Sequence, residues 1–209
     1  MSMTRQQLRN QIAYNHGNRN DKDAIINQIL NFVVDAIGEV YDWDDLEDID
    51  YTLSLAIADY SEPLGPTMRK VRFIRLKTAG DAWLDISKLD MMEFRRRYTQ
   101  SIPTGSNAAP EACTIIGRKL YFNTKADVAY TIYADVIRYP TAMTEDDDFP
   151  SILGIDHVIE CYGTAWLYLH LDEPESAKDW FMMADAMLKN KASEASIPFA
   201  NVPRRAPGS

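Results

Sequence analysis

Apolar residues near the start of the chain recur at the three-and-four spacing of a helix. Residues 4–14 predict a short helix opened by Ser2 or Thr4 and stopped near Gly17, a residue that accepts the left-handed backbone of a helix end. From Asp21 an acid-rich start leads into Ile25, Ile26, Ile29, Leu30, Val33, Ile37 and Val40, one face of a longer helix. The pattern then changes to strict alternation. Tyr51, Leu53, Leu55 and Ile57 interleave with Thr52, Ser54 and Ala56, predicting a strand with one buried face that ends at Pro63, Gly65 and Pro66. Residues 68–77 are β-rich around Val71, Phe73, Ile74 and Leu76, and their alternation slips once, as a bulge or two-sided burial requires. Ser87 with Asp90 three residues on is a capping-box variant, predicting a helix to about Tyr98.

Residues 101–110, with two prolines, Gly105, Ser106 and Asn107, predict a surface loop. Residues 113–116 and 119–123 flank Gly117-Arg118 as the strands of a tight hairpin. Tyr130, Ile132, Ala134 and Val136 continue the alternation, predicting a three-strand meander. Past an acidic loop at 140–150, Asp156 opens a helix that is apolar nearly all round, through Val158, Ile159, Tyr162, Ala165, Trp166, Leu167 and Leu169. Pro174 suits the first turn of a last helix, with Asp172 and Glu173 as capping candidates and Ala177, Trp180, Phe181, Ala184, Met187 and Leu188 as its stripe. Helices, then strands with one inserted helix, then helices again indicate an α+β fold. The expected organisation is a helical bundle from residues 1–48 and 151–196, a β-rich lobe from 49–150 with its helix at about 87–98, and an extended, proline-rich tail from 197–209.

With 209 residues and 46% hydrophobic content the chain can bury a sizeable core. No apolar run approaches the roughly 18 residues of a membrane span. The first residues lack the apolar centre of a secretory signal, so cytoplasmic synthesis is expected. Cys113 and Cys161 are too few for a disulfide framework or zinc motif and are expected as buried free thiols. The net charge of -9 gathers at residues 42–48 and 145–148. That balance argues against a surface that grips phosphate, and leaves open a pore through which DNA slides without sticking.

The chemistry of an enzyme is missing. His16, His157 and His170 have no ligand partners at metal-site spacing, and there is no phosphate loop, nucleophile elbow or zincin motif. Glu145, Asp146, Asp147 and Asp148 lack the glycine and terminal glutamate of a calcium loop, leaving a solvated or partner-facing segment. Arg95, Arg96 and Arg97 either contact phosphate or an acidic neighbouring subunit, or complement the dipole of a solvated helix end. The Met and Trp stripe of the last helix reads as core packing or as a partner groove. No catalytic residue, cofactor or metal is expected.

In order and pattern the chain resembles the head-to-tail adaptor (connector) proteins of tailed bacteriophages, including the tail tubular A type. The resemblance is carried by the hairpin Ile115-Ile116-Gly117-Arg118-Lys119-Leu120-Tyr121-Phe122, by Ala129-Tyr130-Thr131-Ile132-Tyr133 leading to Arg138-Tyr139-Pro140, and by Met143-Thr144-Glu145-Asp146-Asp147-Asp148-Phe149-Pro150 before a helix pair. Upstream, Glu93-Phe94-Arg95-Arg96-Arg97-Tyr98 is similar to the short helix preceding the hairpin in such proteins, although the usual glycine-proline pair appears here as Ala108-Ala109-Pro110.

The resemblance implies a non-enzymatic structural protein: a helical bundle with a small β-sandwich or barrel-like lobe, assembled as a dodecameric ring beneath the portal. Such a ring extends the DNA channel, binds no DNA sequence and presents a platform for a downstream tail, nozzle or neck protein. On this expectation Phe199, Arg204 and Arg205 dock the tail segment on the portal, and Arg95–Arg97 with Glu145–Asp148 face subunits or tail components. The expected location is the head–tail junction of the virion. A small-molecule-binding or regulatory domain with an aromatic pocket is the alternative. A hydrolase built on a carboxylate pair from distant segments is a weaker one.

Overall fold

The computed structural model describes residues 2–98, 103 and 105–200, and gives no account of the side chains at 20 and 194–200. The architecture is α+β: five α-helices and two four-stranded sheets among the described residues. It divides into a helical unit, Met1–Leu46 with Tyr139–Ser209, and a β-rich unit, Glu47–Arg138.

In the helical unit, α1 (Arg5–Asn15) begins at Thr4, whose hydroxyl accepts from the Gln7 N–H while the Gln7 side chain accepts from the Thr4 N–H. This reciprocal box satisfies two of the amides a helix start leaves orphaned. Gly17 follows at φ +75°. A 3-10 turn, Asn20–Lys22, precedes α2 (Asp23–Val40), so Asp21 grips Arg19 instead of opening the helix. Ile26, Leu30, Val33, Val34 and Ile37 are buried, while Val40, at the end of the expected stripe, is exposed.

Two helices complete the unit. Helix α4 (Asp156–His170) buries Val158, Ile159, Ala165 and Leu167. Asp156 is itself buried, and its carboxylate accepts from the Ser2 hydroxyl and the Met3 N–H. Helix α5 runs Pro174–Ala200, past Ser196, where the extended tail was expected to begin. Pro198 therefore falls within its last turns, although a proline there both forfeits a backbone donor and crowds the carbonyl one turn back. Residues 201–209, with Arg204 and Arg205, lie outside the described residues.

The β-rich unit contains β1 (Glu47–Leu55), β2 (Ser61–Pro63), β3 (Met68–Thr78), β4 (Trp83–Asp85), β5 (Ser87–Lys88), β6 (Ala112–Ile116), β7 (Lys119–Phe122) and β8 (Tyr130–Arg138). The sheets are ordered β1-β8-β3-β4 and β2-β7-β6-β5, antiparallel throughout except for β5 against β6. Leu55, Ile74, Leu76, Ile132 and Val136 of one sheet share a core with Cys113, Leu120 and Phe122 of the other. The slip in β3 is present as register shifts at Met68/Lys70 and Val71/Phe73.

Three expectations are corrected here. The hairpin β6–β7 turns at Gly117, φ +60°, but β8 does not extend it into a meander. Nine residues long, β8 pairs along both edges with the equally long β1 and the eleven-residue β3, a match that four-residue β7 does not offer. The crossing is held by Ala58 N–H donating to the Ala126 carbonyl and Ala126 N–H to that of Asp59. Ser87 lies in β5 and is not a cap: α3 (Met91–Arg97) starts at Asp90, whose carboxylate accepts from the Glu93 N–H. The loop expected at 101–110 is described only at 103 and 105–110. Finally, residues 139–150 belong to the helical unit. Their backbone is tied to α1, as described next.

Candidate functional site

The acidic loop is built by its own hydrogen bonds. Arg5 N–H donates to the Asp148 carbonyl and Gln6 N–H to that of Asp146, so loop carbonyls satisfy the first turn of α1. Arg9 grips the Asp146 carboxylate at 2.9 and 3.3 Å, with Arg5 at 3.9 Å. The Asp148 carboxylate accepts the N–H groups of Glu145 and Thr144, which hold its carboxyl below the usual range. Asp146 and Asp148 are thus spent within the unit. Glu145 and Asp147 are exposed, with no side-chain hydrogen bond or ion pair among the described residues.

The arginine run divides similarly. Arg97 pairs with Glu93 one turn back, a surface contact of the kind worth about 0.3–0.5 kcal/mol. Arg95 and Arg96 are exposed without a carboxylate partner among the described residues. They border an open depression of about 810 Å³ with Met92, which is 73% exposed.

Two further features stand apart from these charges, the first on the helices where the sequence offered a partner groove or an aromatic pocket. One is an apolar groove of about 220 Å³ between α2, α4 and α5, lined by Phe32, Val40, Tyr162, Trp166, Phe181 and Leu188 among others. The Trp166 ring stands edge-on to Phe32 at 5.1 Å and to Phe181 at 5.7 Å. Burial and a bond donated to Asp185 push the Tyr162 hydroxyl up. Beyond the groove Met182 and Met183 are exposed, so α5 buries only a narrow stripe at Ala177, Ala184 and Leu188. Phe32 and Val40 both lie off one edge of the buried face of α2 and extend it toward the groove.

The other is the outer face of the β1-β8-β3-β4 sheet. There Arg75 lies 5.6 Å from the Phe73 ring and 5.1 Å from Trp83, and Trp83 packs on Tyr133 at 4.9 Å. Alternation of Phe73, Arg75 and Lys77 on one strand was the signal for it.

Groups with potential chemistry are dispersed. Burial pushes the Cys113 thiol up to about 12 and the Cys161 thiol to about 11, so both are buried, unreactive and unpaired. His157 meets Glu160 at 3.1 Å, and the His16 ring packs against Tyr168 at 4.3 Å between centroids with the planes tilted by 49°. Among the described residues no three His, Cys, Asp or Glu side chains converge as metal ligands, and no helix is long and apolar enough to cross a membrane.

A hydrogen-bonded acidic loop, outward-facing charge and an apolar groove, with no cluster of metal ligands among the described residues, are the features the chain presents. The chain belongs to the SU10 adaptor protein family, whose profile matches residues 3–206. It is a bacteriophage adaptor, a virion component from a family of structural proteins and not of enzymes. No curated protein matches the chain significantly.

Proposed function

We propose that this adaptor forms a ring, a dodecamer, beneath the portal at the head–tail junction, where it extends the DNA channel and gives the tail its platform. The observation that carries the reading is the family match over nearly the whole chain. The helices pack neighbouring subunits, and the segment with Phe199, Arg204 and Arg205 docks on the portal. Loops of the β-rich unit face the downstream tail, nozzle or neck protein. Several features support this. Phe32, Val40, Trp166 and Met182 are large apolar side chains 37–63% exposed on one unit, the kind of surface that a partner covers. An acidic chain also lets DNA pass without the counterion release that makes phosphate contacts sticky. The groove, at about 220 Å³, is smaller than the roughly 300–1,000 Å³ of ligand pockets and has few polar groups to orient a small molecule.

The test is the solution mass of the purified chain by light scattering, alone and with portal-bearing particles. A closed ring, or assembly triggered by the portal, supports the reading. A monomer indifferent to the portal sinks it and brings the small-molecule pocket forward.

A further inference from the structure

We propose that the exposed arginines of α3 receive the acidic loop of the neighbouring copy, with Arg95 and Arg96 against Glu145 and Asp147 and with Met92 against Phe149. The inference rests on the ring reading and names one of its contacts.

Each side presents charge that its own fold leaves unused. Arg95 and Arg96 are exposed and unpaired among the described residues, beside Met92 on an open depression. Glu145 and Asp147 are equally unspent, and Phe149 beside them is 55% exposed. The depression also carries Asp90 and Glu93, but Asp90 caps α3 and Glu93 is paired with Arg97, so each surface offers two unspent like charges beside one apolar side chain, of opposite sign on the two sides. The loop is also preorganised: Asp146 is clamped by Arg9 and Asp148 by two backbone amides, so that 145 and 147 face outward before any partner arrives. Ordering costs that most loops meet on binding are thereby already met.

Charge at the scale of the units points the same way. Glu47–Arg138 holds thirteen Lys and Arg against twelve Asp and Glu, whereas the rest of the chain holds nine against nineteen. Helical unit against helical unit sets net −10 against net −10, whereas helical unit against β-rich unit does not repel. A contact between two different patches of identical chains is heterologous, the kind that closes into a ring when the rotation permits. The other cationic surface, at Arg75 and Lys77, fits less well, because Asp81 pairs with Lys77 and Asp85 and Asp135 lie on neighbouring strands.

The experiment uses full chains carrying Arg95→Glu with Arg96→Glu, or Glu145→Lys with Asp147→Lys. Folding of each is checked by thermal unfolding, and mass by light scattering. Each variant alone is expected to assemble only at tenfold or more higher concentration than the native chain. Mixed in equal amounts they regain native assembly, since reversed face meets reversed loop and native face meets native loop in alternation. If the mixture stays as dissociated as its parts, or the arginine variant assembles normally, the contact is overturned while the ring stands. Should a variant fail to fold, Arg95→Gln with Arg96→Gln and a salt titration of the native chain decide the matter: screening must weaken assembly. A native chain that never assembles, with or without portal-bearing particles, overturns the ring reading itself. Lost binding to a DNA duplex with assembly unchanged would make the arginines a nucleic-acid contact, and overturn the proposal.

Discussion

At Gly38 an added Cβ would lie 2.3 Å from Cγ and 2.8 Å from Cδ of Pro140, a rigid ring that cannot rotate away. At Gly163 the same atom would meet Cδ1 of Ile12 at 2.4 Å and its Cγ1 at 3.3 Å, the outer atoms of a side chain that can turn where a proline ring cannot. Both glycines sit inside helices, where alanine by itself would gain about 1 kcal/mol. Gly38→Ala is nevertheless expected to destabilise the protein by about 1–3 kcal/mol, the cost of overpacking, and Gly163→Ala by distinctly less. Melting temperatures of the two variants check this; equal losses would mean that the proline ring is not the obstacle. At the same scale, Asp148 carries a pH dependence. Its folded pKa is depressed below the ordinary 3.8, so its stabilisation is complete above that value and is lost as pH falls through the folded one. Asp148→Asn keeps an acceptor but no charge, so its urea midpoint should fall less than the native one between about pH 5 and pH 2. Neither Gly38 nor Asp148 announces its role in the sequence: the reason for Gly38 is Pro140, about a hundred residues on, packed against it.

Between elements, Asn31 of α2 acts as a short piece of strand. Its Nδ2 donates to the Met143 carbonyl at 3.2 Å and its Oδ1 accepts from the Met143 N–H at 2.8 Å, while the Met143 side chain is buried. Asn31→Ala should cost about 1–3 kcal/mol, because both backbone groups lose their partner where water has little access. Chemical denaturation against the native chain measures it, and a loss within error would mean that water replaces both bonds. Most long elements were legible because their period persists for several turns or pleats, as in α2, β3 and α4. The short strands β2, β4 and β5, of three, three and two residues, were not: so few positions carry no period, and their pairing partners alone define them. Ile57 was read as strand and is exposed beyond the end of β1, since alternation does not reveal where pairing stops.

For the whole molecule, removal of residues after Ser196 is expected to abolish attachment to portal-bearing particles while leaving the mass of the free protein's assembly unchanged. Co-sedimentation with such particles reads the first and light scattering the second. Undiminished attachment would reject the tail as the docking segment. Composition and periodicity by themselves determined the α+β class, the principal helices, the hairpin at Gly117 and the absence of enzyme motifs, because burial of apolar faces and turn chemistry are written locally. Tertiary structure alone decided that β8 lies between β1 and β3, and that the acidic loop joins the helical unit. It also decided which charges are spent: Asp146 and Asp148 on α1 and their own backbone, Glu145 and Asp147 on nothing within the described chain. Strand order, loop docking and ion pairing are choices among partners far apart in sequence, and a pattern read along one strand of text contains the candidates but not the choice.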